Sequence, residues 1–115
     1  MKNNLYNYKA FVTAVYDGDT CTVDIDLGLN CWIRKEKIRL ARINAPELKG
    51  SERENGLTSR DYLRELILNK TILLQTIKDK KEKYGRYLGE IWIESNSKQI
   101  NVNDLMMKKG FARLM

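Results

Sequence analysis

The chain has 115 residues, of which 21 are basic and 15 acidic, so its formal charge is +6 and its pI is near 9.4. This length is typical of one domain, residues 1–115, whose modest core needs no disulfides. The basic charge suits a polyanionic partner such as nucleic acid. The absence of histidine excludes histidine proton transfer and histidine metal sites, so any general base is Asp, Glu, Lys or Tyr.

The cysteines and the first residues give no sign of export. Cys21 would lie far from a predicted turn that Cys31 flanks, so the two thiols are too distant to bridge. We expect both to be buried apolar side chains. The first ten residues contain no apolar run of the kind found in a signal peptide, and no apolar stretch is long enough to span a membrane. We therefore expect a cytoplasmic protein without membrane contact, or a secreted one if a leader has been removed.

The residue pattern in the first third of the chain is typical of β-strands. Strands are predicted at residues 9–16, 20–27 and 31–43, with turns at 17–19 and 28–30. The first strand is rich in aromatic and β-branched residues, and the second alternates apolar and polar residues. The third has a charged, solvated middle at residues 34–37 where a bulge is expected.

The rest of the chain adds two helices and two strands. Predicted elements are a helix from about residue 52 or 54 to 69, a strand at 71–77, a charged loop at 78–85, a strand at 86–94 interrupted at Gly89, and a short helix at 104–109. Asn103 is the expected N-cap of the last helix and Gly110 its C′ residue. The tail, residues 111–115, is too short for another full element.

This order of elements predicts the fold class. Five strands, a helix between the third and the fourth, and short connections indicate a mainly β, α+β protein: a five-stranded barrel of the OB type with two helices. An open antiparallel sheet covered by helices is the alternative.

Three polar clusters stand at the ends of the predicted strands. The first is Asp-Gly-Asp-Thr at residues 17–20, the second is Arg39 with Asn44 and Glu47, and the third is Tyr-Gly-Arg at residues 84–86. Pro46 lacks an N–H and keeps the residue before it out of helical geometry, so the third strand has to end there. Polar groups at strand ends are a common place for chemistry. Ordinary turn chemistry and a solvated arginine are the alternative interpretation of each cluster taken alone.

The order and spacing of these clusters (DGDT, R-x4-N-A-P-E, K-Y-G-R) resemble the staphylococcal nuclease (thermonuclease) family over residues 9–114. The resemblance implies a five-stranded OB barrel that uses Ca²⁺ to hydrolyse phosphodiester bonds of DNA, RNA or both. It therefore implies an enzyme, a hydrolase of the endonuclease kind with low sequence specificity, and a nucleic acid as partner. We expect a monomer.

The resemblance also implies a role for each matching residue. The implied metal ligands are Asp19, Asn44 and the carbonyl of Ala45; the implied catalytic residues are Arg39, Glu47 and Arg86; and the residues implied beside the nucleotide are Lys83 and Tyr84. Oxygen ligands suit Ca²⁺, and guanidinium groups match a phosphate in shape and charge. Glu47 would orient or deprotonate the attacking water.

Asn44 departs from the family pattern, because the best-known members have aspartate there. The amide still offers an oxygen, but one charge is lost, and Ca²⁺ affinity follows ligand charge. Many relatives also continue beyond residue 115 into a third helix and nucleotide-binding tyrosines, so we expect lower substrate affinity or a partner chain in that place. The alternative function is a catalytically weak or inactive OB-fold module that binds nucleic acid. A purely structural interaction domain would leave the three clusters unexplained.

Overall fold

The computed structural model describes residues 5–81 and 85–115. The strands are β1 (Leu5–Asp17), β2 (Thr20–Gly28), β3 (Cys31–Leu40), β4 (Ile43–Asn44), β5 (Thr71–Lys81), β6 (Tyr87–Ser95), β7 (Lys98–Asn101) and β8 (Arg113–Leu114). The helices are α1 (Arg53–Ile67), which follows one turn of 3₁₀ helix at Gly50–Glu52, and α2 (Val102–Lys108). Neither helix combines the length and the apolar character that crossing a membrane would need, within the part of the chain described.

Five of the strands form a closed barrel. The main sheet has the order β3-β2-β1-β5-β6-β7, and a parallel pairing of β3 with β6 joins its two sides. In that pairing Ile38 lies opposite Tyr87 and Leu40 opposite Gly89. The predicted α+β barrel of the OB type is therefore confirmed, and the open sheet is not the fold of this chain.

Alternating apolar residues build the core between the barrel and α1. Val23 and Ile25 of β2 point inward as their alternation predicts, and Leu63 and Ile67 of α1, one helical turn apart, are also buried. The bulge predicted in β3 is present: Lys35 has φ of 58°, and the register with β2 shifts beside it. Of the cysteines, Cys21 is buried as expected, but the prediction for Cys31 was wrong because it is exposed beside the hairpin turn.

Gly89 is not an interruption of β6, as the sequence had indicated, but the point where β6 meets two other strands. A Cβ at this position would lie 2.9 Å from Leu74 Cδ1 and 3.2 Å from Ile38 Cγ2. Its carbonyl accepts a hydrogen bond from the Ala41 N–H at 2.9 Å. The missing side chain lets β3 and β5 approach β6 closely enough for the barrel to close.

The third and fourth predicted strands had wrong boundaries. The third ends at Leu40 rather than residue 43, because Arg42 turns the chain with φ of 72° and residues 43–44 then form β4. The tail supplies β8, which pairs with β4 through Asn44 and Arg113 and Ile43 and Leu114. Strand β5 continues to Lys81, so residues 78–81, which were predicted to belong to a charged loop, are part of this strand.

The N-cap of α2 is Asn101, not Asn103. Asn101 is extended and its side chain accepts a hydrogen bond from the Asp104 N–H at 2.8 Å. Asn103 instead lies inside the helix and is fully buried. Gly110 is the C′ residue as predicted, with φ of 83°.

Candidate active site

Asp19 lies at the entrance of β2, packed against the end of β4. The turn before it is tight, since a Cβ on Gly18 would lie 2.7 Å from the Ala45 Cβ and 2.8 Å from the Ser59 Cβ. Asp19 Oδ2 accepts a hydrogen bond from the Ala45 N–H at 2.7 Å, and the Asp19 carbonyl accepts one from the Leu40 N–H at 2.8 Å. Only 6% of Asp19 is exposed. The carboxylate is therefore buried and held in one place.

Arg39 lies beside this carboxylate and is fixed by backbone carbonyls. Its Nη1 donates to the carbonyls of Leu40 and Ile43, both at 2.9 Å. Its Nη2 donates to Asn44 Oδ1 at 3.1 Å and lies 3.4 Å from Asp19 Oδ2. Nη2 also donates to Met115 Sδ at 3.8 Å, so a ligand of this guanidinium has to use Nε or replace one of the Nη2 contacts.

Arg86, which precedes β6, reaches the same carboxylate through a hydroxyl group. Arg86 Nη1 donates to Thr20 Oγ1 at 3.2 Å, and Thr20 Oγ1 donates to Asp19 Oδ1 at 3.1 Å. Two guanidinium groups therefore flank Asp19, one in direct contact and one through Thr20. No role was predicted for Thr20, although it belongs to the DGDT cluster.

A second carboxylate, that of Asp17, contacts the backbone of Asp19. Asp17 Oδ1 accepts a hydrogen bond from the Asp19 N–H at 3.1 Å. Burial, followed by hydrogen bonding with Asp19 and repulsion from its charge, raises the pKa of Asp17 from its ordinary value to about 6. From the sequence, Asp17 was predicted only as part of a turn. Its burial could not be predicted, because it depends on which elements pack against that turn.

Glu47 lies in the adjacent groove, which has a volume of about 470 Å³ and is lined by Asn44, Phe111 and Arg113 among others. The Glu47 N–H donates to Glu52 Oε1 at 2.9 Å. Its side chain is exposed, and within the described ranges its carboxylate accepts no hydrogen bond. Glu47 thus faces solvent on the same side as Asn44.

The structure brings most of the predicted residues together. Asp19, Arg39, Asn44 and the Ala45 N–H form one set of direct contacts, Arg86 joins it through Thr20, and Glu47 lines the next groove. Lys83 and Tyr84 lie outside the described residues. The roles given to all these residues are still predictions.

The oxygen atoms at the site fit a hard cation in type but supply little charge. Asp19 Oδ2 and Asn44 Oδ1 both lie beside Arg39 Nη2, so a carboxylate and an amide oxygen converge there. No group of three or more Cys, Asp or Glu side chains placed to hold a metal occurs among the residues that the structure describes. Ca²⁺ accepts such oxygen ligands, and it binds more weakly when fewer of them are charged.

Fold and site together define a small OB-type barrel with a buried carboxylate and two arginines at the ends of its strands. The chain belongs to the staphylococcal nuclease family: the family model described as "Staphylococcal nuclease homologue" matches residues 37–115. The family resemblance seen in the three polar clusters is thereby confirmed.

Similar proteins come from archaea and bacteria. An uncharacterized protein of Methanocaldococcus jannaschii is 33% identical over 94% of this chain and 59% of its own length. Endonuclease YhcR of Bacillus subtilis is 32% identical over 91% of this chain and 9% of its own. A thermonuclease of Staphylococcus hyicus is 28% identical over 96% of this chain and 60% of its own. The chain therefore spans about three fifths of the length of two of these relatives and about a tenth of the length of the endonuclease.

Proposed function

We propose that this domain is a Ca²⁺-dependent nuclease that hydrolyses phosphodiester bonds of DNA, RNA or both with low sequence specificity. The observation that carries the proposal is the placement of two guanidinium groups around one buried carboxylate, with Asn44 in contact and Glu47 in the next groove. Family membership and the names of two relatives, an endonuclease and a thermonuclease, support it.

Each residue contributes a separate part of the chemistry. Arg39 and Arg86 would bind the phosphate oxygens and stabilise the charge that gathers on them in the transition state. Glu47 would accept the proton of the attacking water, whose oxygen bonds to phosphorus. The P–O bond to the leaving oxygen then breaks with its electron pair, and that oxygen takes a proton from solvent.

Asp19, Asn44 and the Ala45 carbonyl would hold the Ca²⁺ ion. Bound there, the ion would polarise a phosphoryl oxygen and help position the water. Since Arg39 Nη2 contacts both Asp19 and Asn44, a phosphate that takes their place on Nη2 would also leave these oxygens for the metal. Phosphate and Ca²⁺ would then assist each other in binding.

One observation favours a second function, a weak or inactive nucleic-acid-binding module. Asn44 is neutral, and its Oδ1 accepts a hydrogen bond from Arg39, so a single carboxylate, Asp19, carries the charge among the three assigned ligands. A site of this kind could keep its affinity for phosphate and lose its metal.

The direct test is incubation of the protein with single-stranded DNA in Ca²⁺ or in chelator, followed by sizing of the products. The nuclease predicts short products in Ca²⁺ and intact DNA in chelator. Intact DNA under both conditions, with DNA bound to the protein, would favour the binding module.

A further inference from the structure

A second groove, of about 700 Å³, lies beside Arg86 and Thr20 and does not include Glu47. We call it the basic groove, because Lys37, Arg60, Arg64 and Arg86 line it, together with the 68% exposed Tyr16. No carboxylate is found among the described residues that line it. Its volume is in the range of known ligand sites.

The basic side chains come from separate elements that meet at this groove. Arg60 and Arg64 lie four residues apart on α1, so they share one face of the helix. Lys37 lies on β3 two residues before Arg39, and its partner in β2 is Thr22, two residues after Thr20. Side chains two apart on a strand share a face and are roughly 7 Å apart. The groove is thus continuous with the candidate active site.

Two of the four cations, Lys37 and Arg64, form no ion pair with the residues that the structure describes. Arg64 donates through Nε and Nη2 to the Val15 carbonyl, at 3.3 and 3.2 Å, which is a neutral acceptor. Arg60 pairs with Asp61 at 3.1 Å, and because the Asp61 side chain is 63% exposed, solvent screens this ion pair. A row of cations beside an exposed aromatic ring is the pattern of a single-strand nucleic-acid path.

We infer that the basic groove binds the nucleic-acid strand beyond the phosphate that is cut, with the cations on its phosphates and Tyr16 against a base. This inference rests on the proposed function, since it extends the same substrate past the candidate active site.

The test measures binding rather than cleavage. A labelled oligodeoxythymidine of about 12 nucleotides, within the site sizes of OB folds, is titrated with protein in chelator over a series of salt concentrations. Lys37→Gln with Arg60→Gln should flatten the slope of log affinity against log salt by about 1.4, since each lost phosphate contact contributes about 0.7. Arg64 is left in place because it also holds the Val15 carbonyl.

The matched control is Lys98→Gln with Lys108→Gln, which removes the same charge from exposed positions that line neither groove. Its slope should equal that of the unmodified protein. Tyr16→Ala should weaken binding roughly tenfold, whereas Tyr16→Phe should not, because stacking uses the ring. Affinity for a nucleoside bisphosphate should be the same in all four variants.

An unchanged slope in the groove variant, an equal change in the control, or no binding of the oligonucleotide by the unmodified protein would each overturn the inference. Because the assay contains chelator, it is independent of catalysis. If the domain binds the oligonucleotide as expected but leaves DNA intact in Ca²⁺, the nuclease proposal is refuted, whereas the inference that the basic groove binds the strand still holds.

Discussion

Asn44 Oδ1 accepts a hydrogen bond from Arg39 Nη2 at 3.1 Å, so the neutral amide oxygen assigned to the metal is already in contact with a guanidinium. Asn44→Asp adds a carboxylate to an oxygen site without changing side-chain length. It should tighten Ca²⁺ binding in the absence of nucleotide by roughly tenfold or more, because affinity follows ligand charge. Calorimetric titration of both forms, with and without a nucleoside bisphosphate, measures this change.

Asn55→Asp is the matched control for that experiment, since Asn55 is exposed and lines the same groove as Asn44. This substitution adds the same negative charge at a residue that is not an assigned ligand, so it should change the Ca²⁺ affinity little. Equal Ca²⁺ affinity in the Asn44→Asp and unmodified proteins would mean that Asn44 is not a ligand. No Ca²⁺ binding by either, even with nucleotide, would favour the binding module.

Glu47→Gln tests the general base. The exposed Glu47 carboxylate lines the groove beside Asn44, so removing its charge should leave nucleic-acid binding intact and slow cleavage by about 10²-fold or more. Single-turnover cleavage of labelled DNA measures the rate. Glu94→Gln, an exposed position at the end of β6, should cleave at the normal rate. Normal turnover by the Glu47→Gln protein would remove Glu47 from the mechanism.

Gly56→Ala tests how α1 positions Glu47. A Cβ on Gly56 would overlap the Glu47 carbonyl oxygen and lie 3.0 Å from that of Pro46. Helix propensity alone predicts a gain of about 1 kcal/mol, whereas overpacking costs about 1–3 kcal/mol. We expect a lower free energy of unfolding in urea and slower cleavage. A more stable variant would show that residues 46–47 move away from α1 without cost.

The two cysteines should differ in reactivity. Burial raises the pKa of Cys21 to about 12, so its thiol stays protonated at any pH used for labelling, and the thiolate is the form that reacts. Cys31 is exposed. Iodoacetamide at mildly alkaline pH, followed by mass spectrometry, should therefore label Cys31 alone in the folded protein and both cysteines in urea. Fast labelling of Cys21 in the native state would show that β2 opens.

Local patterns predicted those parts of the molecule that depend on neighbouring residues. The alternation in β2 and the polar pair of Arg39 and Asn44 both follow from short stretches of sequence. The β4 and β8 pairing did not, because Asn44 and Arg113 meet only once the whole barrel has formed. The contact of Thr20 with Arg86 is likewise a product of the barrel, since β6 has to lie beside β3 first.

Asn103 shows the limit of such patterns most clearly. An asparagine followed by aspartate is typical of a helix start, yet here the cap is Asn101 and Asn103 is fully buried. Asn103 Nδ2 donates to the carbonyls of Ala41 and Gly89 at 2.9 and 3.1 Å, and its Oδ1 accepts from the Ile91 N–H at 3.1 Å. The side chain therefore joins α2 to β6 and to the turn after β3.

This role predicts which of two substitutions lowers the free energy of unfolding more. Asn101→Ala removes a helix cap and should lower the free energy of unfolding by about 1 kcal/mol. Asn103→Ala leaves the buried Ile91 N–H without its partner, removes two further hydrogen bonds and opens a cavity, so about 3 kcal/mol or more is expected. Urea denaturation of both variants measures the difference.

Because the turn held by Asn103 leads directly from Arg39 to Asn44, the Asn103→Ala protein should also cleave more slowly at temperatures where it is still folded. The reverse order of stabilities would mean that Asn103 acts only as part of the helix start.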